Sequence, residues 1–319
     1  MAQDKVRSDT PHVVVAGAGA MGCLFGGLLA EGGLTVTLLA RRADHVRAIA
    51  ERGLLIVGEG GDRTVSLRAT TDVASIAPPD IVLFQCKANG TAALAAAVKP
   101  LFSGLEQRPV AISFQNGLGN EEAIAAALGK DVVMGGLTSQ GATLEDIGVV
   151  RNYASLPSII GEMSGGLSKR ATDLAQLFSS HGLPMQASDK IIRDKWRKLF
   201  LNVALSATSA ITNLAIGEVL AIRDLAATAR RAINEAAAVA IATGVDIAEE
   251  DRFAVFDAIV ASGAARNKMS MCRDVLARRP SEVDAIYGHV IRAGKEHDIP
   301  TPTLDVLAAA IRGIETHYV

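Results

Sequence analysis

Short apolar runs rich in β-branched residues recur through the first half of the chain and alternate with alanine-rich stretches or loops. Strands that are buried on both faces read as continuous apolar runs of this kind. Alternation of strand and helix is typical of a parallel sheet with helices on its faces. The six predicted strands are HVVVAG (12–17), TVTLLA (35–40), DIVLFQCK (80–87), PVAISFQNG (109–117), DVVMGG (131–136) and PSIIG (157–161).

The pattern changes near residue 189. From Asp189 to the end no convincing strand appears, and apolar residues recur at helical spacing, as at Ile233, Ala237 and Ala240. We therefore predict an α/β parallel-sheet domain over residues 1–188 and an all-α helical domain over residues 189–319. Ligand sites prefer domain interfaces, so the cleft between the two is the expected site.

Composition narrows the function classes. The 319 residues carry a net charge of -2, and only 4% are aromatic, which argues against nucleic acid or an anionic membrane as a partner. No run reaches the roughly 18 apolar residues of a membrane span, and the polar N-terminus lacks a signal-peptide core. Three cysteines, spaced unlike zinc ligands, predict reduced thiols and no metal. We expect a cytoplasmic location.

A glycine motif ends the first predicted strand and opens a helix. Gly17, Gly19 and Gly22 form GxGxxG, in which the glycines permit a tight turn, close approach to a pyrophosphate and close helix packing. The following helix N-terminus offers free N–H groups to phosphates. The motif predicts dinucleotide binding by residues 17–22, including Ala18, Ala20 and Met21. A purely structural glycine turn is the alternative.

The end of the second predicted strand bears on the choice of dinucleotide. No acidic residue stands there to accept from a ribose 2′-OH, and Arg41 and Arg42 follow directly. A guanidinium supplies several fixed donors to a 2′-phosphate, so NADP(H) is the favoured cofactor. Asp44 could serve a ribose, which leaves NAD open as the alternative.

The segment KWRKLFLN (195–202) puts cationic side chains into an apolar helix predicted over 190–211. Lys198, Asn202 and Ser206 lie at i, i+4 and i+8, so they share one face. An unpaired ammonium makes a poor core residue but a useful proton donor in a site wall. Lys195 and Arg197 are expected to face solvent, and the pattern alone leaves that alternative open for Lys198.

Several motifs, taken in order, resemble the ketopantoate reductase family over nearly the whole chain. They are GAGAMG, Lys87 in QCKANG, Asn116 in FQNGLGNEE, KWRKLFLN, and the spacing of Ser270 and Glu282. The resemblance implies an N-terminal Rossmann-type domain and a C-terminal all-α domain. It also implies NADPH-dependent reduction of a 2-oxo acid, which in that family is a step of pantothenate synthesis.

The resemblance also implies roles for individual residues. Lys198 matches the catalytic lysine, and Arg41 the arginine that selects NADPH. Lys87 follows a strand's carboxyl end, near the crevice where such sheets bind ligands. The alternative is a surface lysine at the start of a helix, which would show the same sequence pattern. The implied substrate-binding residues are Asn116, Asn202, Ser206 and Ser270; the implied cofactor-binding residues are Gly17, Ala18, Gly19, Ala20, Met21, Gly22, Arg41, Lys87, Asn116, Ala142 and Glu282.

Two positions depart from the family pattern. Ser206 and Ile216 stand where the family usually has asparagine, and Ile216 suggests a more apolar pocket. Reduction of ketopantoate is the leading hypothesis, and a reductase of another branched or aromatic 2-oxo acid is the first alternative. A non-catalytic NADP(H)-binding regulator is the alternative from another class. The helix at 223–243 and the C-terminal helix can pack within the chain or across a homodimer, and both arrangements stay open.

Overall fold

A computed structural model of the chain describes residues 10–254 and 263–318. Residues 1–9, where the sequence lacks a signal-peptide pattern, lie outside the described residues. The chain divides into two units: Met1–Gln115 with Asn120–Ile191, and Asn116–Gly119 with Ile192–Val319. The division differs from one at residue 188 in two respects. Residues 116–119 of the predicted first domain belong to the second unit, and residues 189–191 of the predicted second domain belong to the first.

An eight-stranded sheet forms the centre of the first unit. All six predicted strands are present in it, and all neighbours pair in parallel except β8 and β11, which are antiparallel. Across the sheet the strands are β12 (Met185–Ser188), β11 (Ser158–Glu162), β8 (Val133–Leu137), β7 (Val110–Ser113), β6 (Ile81–Phe84), β1 (His12–Ala16), β2 (Thr35–Leu39) and β5 (Arg68–Thr70). The six strands from β5 to β8 therefore follow the 3-2-1-4-5-6 order of a Rossmann sheet.

Helices cover both faces of this sheet. Side chains alternate along each strand, so Val13 and Val15 pack into one core and Val14 and Ala16 into another. This double burial explains the continuous apolar runs. The helices of the first unit are α1 (Ala20–Glu31), α2 (Ala43–Arg52), α3 (Thr91–Val98), α4 (Asn120–Leu128) and α5 (Lys169–Ser180).

A second sheet of four strands was not predicted. Its order is β4 (Arg63–Val65), β3 (Leu54–Gly58), β10 (Val149–Ala154) and β9 (Gly141–Asp146), and only the β3–β10 pair is parallel. The first unit therefore contains a small mixed sheet in addition to the predicted, largely parallel one. Strand β10 alternates buried and exposed residues, as expected for a strand with one solvated face.

The described residues of the second unit form helices and connecting loops, with no strand among them. Its helices are α6 (Ile191–Thr212), α7 (Ile216–Ala221), α8 (Arg223–Ala242), α9 (Ser270–Leu276), a π-helix (Asp284–Gly288), α10 (His289–Glu296) and α11 (Pro302–Glu315). Trp196, Phe200 and Val203 of α6 pack into the core of this unit together with small residues of α8. The single helix predicted over 190–211 is confirmed. Within the described ranges, no helix is long and apolar enough to cross a bilayer.

The core that contains α5 gives a direct test of the packing. Phe178 of α5 is fully buried in that core. We expect Phe178→Ala to lower the free energy of unfolding by about 3–5 kcal/mol, because the substitution leaves a cavity. Urea unfolding measures the change. Leu167→Ala is the control, since Leu167 is 63% exposed and surface changes usually stay within about 0.5 kcal/mol. Equal effects of the two substitutions would contradict this packing.

Candidate functional site

The glycine motif forms a tight loop between β1 and α1, at the point where the strand order of the sheet reverses. Gly17 has a φ of +113°, and a Cβ there would lie 2.5 Å from the backbone nitrogen of Cys86, which follows β6. A Cβ on Gly22 would clash with the Gly17 carbonyl oxygen. A Cβ on Gly19, the N-cap of α1, would meet nothing within 4 Å. The loop thus leaves open space before the helix N-terminus, which suits a phosphate group.

The two arginines after β2 differ in their contacts. Arg42 donates two hydrogen bonds to the carboxylate of Asp44, at 3.1 and 2.6 Å. This pairing holds the pKa of Asp44 at about 2. Arg41 is exposed and has no hydrogen bond or ion pair to any described residue. The carboxylate that could serve a ribose is therefore engaged, whereas the Arg41 guanidinium is available to a ligand.

A buried cysteine–histidine pair contacts the glycine loop between β1 and α1. The backbone N–H of Gly148 donates to Nδ1 of His45, so Nε2 carries the proton and donates to Sγ of Cys23, 3.3 Å away. The Cys23 thiol lies 3.5 Å from the Ala18 carbonyl oxygen in the glycine loop. Burial lowers the pKa of His45 and raises that of Cys23 to about 12, so both groups are neutral. No sequence motif indicates this pair.

Two other predicted cofactor residues also belong to the first unit. Lys87 is exposed and follows the end of β6 by three residues. Ala142 lies in β9, opposite Asn152 of β10, and is partly buried.

The predicted polar stripe is present on α6 of the second unit. Lys198 is half-buried, Asn202 is buried, and Ser206 is 1% exposed. The buried Ser206 hydroxyl has no hydrogen-bond partner among the described residues. A buried polar group without a partner is uncommon in native proteins and is explained by strain, a catalytic role or a bound water or ion.

A hydrogen-bonded chain links three of the predicted residues. The Lys198 amine donates to Oδ1 of Asn116 at 3.0 Å, and Nδ2 of Asn116 donates to Oε2 of Glu282 at 3.3 Å. The amide oxygen thus meets the cation and the amide nitrogen meets the carboxylate. These hydrogen bonds join residues that are far apart in sequence: Lys198 and Asn116 are 82 positions apart, and Asn116 and Glu282 are 166 apart.

The surroundings of Lys198 shift its proton affinity. Burial is the main cause, and the like charge of Lys195 adds to it, so the pKa of the Lys198 amine is lowered to about 8. The nearby carboxylate of Glu282 opposes this shift. An amine with this pKa holds a proton near neutral pH and can release it readily, which suits a general acid.

Lys195, Arg197 and Ser270 differ in exposure and in contacts. The expectation that Lys195 faces solvent is wrong, since it is 5% exposed, and Arg197 is half-buried beside the carboxylate of Asp251 at 3.2 Å. Ser270 begins α9, is exposed, and makes no hydrogen bond to a described residue. The structure therefore does not join Ser270 to the Lys198–Asn116–Glu282 chain.

The two departures from the family pattern have different environments. Ile216 is buried in the hydrophobic core of the second unit. Asn213, one turn earlier, has its side-chain oxygen 2.5 Å from the Lys268 amine. Neither residue shares a hydrogen bond with the polar stripe on α6, so Ser206 is the departure that bears directly on the stripe.

The fold, the glycine loop and the polar stripe on α6 define a class: a Rossmann-type α/β unit with a GxGxxG loop, followed in the chain by a helical unit that carries a half-buried lysine. Comparison with known proteins gives the family. Residues 13–165 match the family model described as "Ketopantoate reductase PanE/ApbA", and residues 190–315 match its C-terminal counterpart. The chain belongs to the ketopantoate reductase family, a family of pyridine-nucleotide-dependent oxidoreductases.

Individual relatives cover nearly the full length. The 2-dehydropantoate 2-reductase of Halobacterium salinarum is 31% identical over 94% of this chain and 98% of that protein. The enzyme of the same name from Pyrococcus abyssi is 32% identical over 95% and 97%. A PanE/ApbA family ketopantoate reductase from Ralstonia eutropha has a TM-score of 0.87, 31% identity, and coverage of 96% and 98%. D-mandelate dehydrogenase, at 24% identity and a TM-score of 0.88, shares the fold.

The charges beside Lys198 give a prediction that does not depend on turnover. Glu282→Gln should move the pKa of the Lys198 amine below about 8, because it removes the charge that raises this pKa. Lys195→Met should move it above about 8, because it removes the like charge. NMR titration of protein with ¹³C-labelled lysine side chains measures both. Shifts in the same direction would contradict this electrostatic account.

Proposed function

We propose that this chain reduces 2-dehydropantoate (ketopantoate) to pantoate with NADPH, and that Lys198 is the general acid. The observation that carries the proposal is the Lys198–Asn116 hydrogen bond, because it holds an amine of lowered pKa on the polar face of α6. The names of the full-length relatives support the same reaction.

The residues of the first unit fit a dinucleotide. The open space at Gly19 and the N-terminus of α1 suit the pyrophosphate, and Arg41 suits a 2′-phosphate. When bound, NADPH supplies the hydride that reduces the keto carbon.

The residues of the second unit supply the remaining chemistry. As the keto carbon is reduced, negative charge grows on its oxygen, and the Lys198 ammonium donates a hydrogen bond to that oxygen and then transfers its proton. Asn116 and Glu282 hold the ammonium in place beforehand. Asn202 and Ser206 orient the substrate by hydrogen bonds. The products are the 2-hydroxy acid and NADP⁺.

Another branched or aromatic 2-oxo acid is the second candidate substrate. Ser206 favours it, because one hydroxyl takes less room and makes fewer hydrogen bonds than the asparagine usual in the family. The cytoplasmic location stays a prediction, and a homodimer stays one of two open arrangements.

Substitution of the lysine tests the function. With NADPH oxidation followed at 340 nm against a panel of branched and aromatic 2-oxo acids, we expect ketopantoate to be the best substrate. Lys198→Ala should lower kcat/KM by about 10²–10⁴-fold, the usual worth of a general acid, with little change in NADPH affinity.

In the unaltered enzyme kcat/KM should fall as pH rises through about 8, because the amine must be protonated.

Two outcomes contradict these roles. An active Lys198→Ala enzyme would remove the general-acid assignment. Binding of NADPH without turnover of any 2-oxo acid would favour the non-catalytic regulator.

The two arginines offer a matched pair for cofactor choice. We expect Arg41→Ala to raise the KM for NADPH about tenfold or more, the worth of one charge-assisted contact, and to change the KM for NADH little. Arg42→Ala should have a smaller effect, because Arg42 is engaged by Asp44. Steady-state kinetics with both nucleotides provide the comparison. Equal effects of Arg41→Ala on NADPH and NADH would remove the argument for a 2′-phosphate.

A further inference from the structure

A tyrosine hydroxyl lies within the hydrogen-bond ladder of α6. Tyr287 is fully buried, and its hydroxyl accepts from the backbone N–H of Ala207 at 2.9 Å and donates to the carbonyl oxygen of Val203 at 2.9 Å. In a regular α-helix these two backbone groups are each other's partners, because N–H of residue i bonds C=O of residue i−4. A side chain inserted into this ladder is one of the few known causes of a local change in helix direction.

The insertion falls at the two polar residues that follow Lys198 on α6. Asn202 directly precedes Val203, and Ser206 directly precedes Ala207. The Tyr287 hydroxyl also lies 3.3 Å from the Asn202 carbonyl oxygen. That carbonyl is the acceptor that a helical serine at position 206 would ordinarily use. Tyr287 lies at this acceptor, and the Ser206 hydroxyl has no partner among the described residues.

The same tyrosine belongs to the π-helix, Asp284–Gly288. There the backbone N–H of His289 bonds the carbonyl of Asp284, five residues back, rather than that of Ala285. The Ala285 carbonyl accepts instead from the N–H of Leu118, at 3.1 Å. Leu118 lies in the 116–119 segment, and Asn116 in this segment contacts both Lys198 and Glu282. One short element therefore contacts α6 through Tyr287 and the Asn116 segment through Ala285.

We propose that Tyr287 is a positioning residue for the reduction. It sets the path of α6 between Asn202 and Ala207, directs the Ser206 hydroxyl towards the substrate, and keeps Lys198 in register with Asn116. This inference rests on the proposed function of Lys198. A misplacement of about 1 Å at a reacting group can cost about 10² in rate, so a change in this part of α6 would be visible in kcat.

Tyr287→Phe removes the hydroxyl and keeps the ring. The Ala207 N–H and the Val203 carbonyl can then bond each other, so neither group is left unsatisfied and Tm should stay close to that of the unaltered protein. We expect kcat for the best 2-oxo acid to fall about 10–100-fold, with the KM for NADPH within about twofold. Tyr318→Phe is the matched control: its hydroxyl lies 3.4 Å from the Val275 carbonyl and makes no hydrogen bond to α6. The control should leave kcat unchanged.

A double-mutant cycle separates positioning from general stability. If Tyr287 acts through Ser206, Ser206→Ala should cost less in the Tyr287→Phe background than in the unaltered enzyme. An unchanged kcat in Tyr287→Phe, an equal loss in Tyr318→Phe, or additive effects in the cycle would overturn the proposal.

The positioning role can also be tested without turnover. If the unaltered protein reduces no 2-oxo acid, the proposed function fails, and crystal structures of both proteins then decide the role of Tyr287. We expect Tyr287→Phe to lengthen the Lys198–Asn116 contact beyond 3.0 Å and to change the backbone path between residues 202 and 207. An identical α6 and an identical contact would overturn the positioning role.

Discussion

The hydrogen bond from the Lys198 amine to Asn116 is the interaction on which the functional account depends. An ammonium loses its water shell on burial, and this cost must be met by specific partners. Asn116 supplies an oxygen to the cation, and its nitrogen meets the carboxylate of Glu282. Burial and the like charge of Lys195 lower the pKa of the amine to about 8 against the opposing charge of Glu282, so the amine can hold a proton and also give it up. The contact with Asn116 fixes the position of the Lys198 amine.

Asn116 can reach the lysine because of a local feature of the chain. Residues 116–119 follow the end of β7, yet they belong to the second unit. A Cβ on Gly117 would clash with the Ala285 carbonyl oxygen, so glycine permits the close approach there. The neighbouring Leu118 N–H bonds that same carbonyl. A tight backbone contact thus holds the segment that presents the Asn116 side chain to Lys198.

Local pattern was enough to predict the elements buried on two sides. Val13 to Ala16 and Ile81 to Phe84 lie between two layers of helices, so every position is apolar and the strands are evident. Strands β4 and β10 of the second sheet were missed because they are short or alternate with polar residues, whereas the apolar run of β3, LLIVG, could have been recognised. Lys195 was assigned to solvent because a cation in an apolar helix is usually exposed. Its burial depends on tertiary neighbours that spacing along one helix does not reveal.

The candidate site also has features that local sequence predicts and features that depend on distant residues. The glycine loop and the face shared by Lys198, Asn202 and Ser206 follow from local spacing. The contact of Lys198 with Asn116 joins residues 82 positions apart, so only the resemblance pointed to both. The sequence gives only a general indication of a role for Tyr287, since any buried tyrosine needs a partner for its hydroxyl. The partner is a pair of backbone groups of α6, which no sequence motif indicates.

The most direct test is a crystal structure with NADPH and a non-reducible 2-oxo acid analogue bound. The account predicts the Lys198 amine within about 3.2 Å of the analogue's keto-like oxygen, the reach of a proton donor. It also predicts the nicotinamide C4 about 3–3.5 Å from the adjacent carbon. A lysine amine that points into solvent, or that packed side chains separate from the nicotinamide ring, would contradict the enzyme mechanism and leave only a dinucleotide-binding protein.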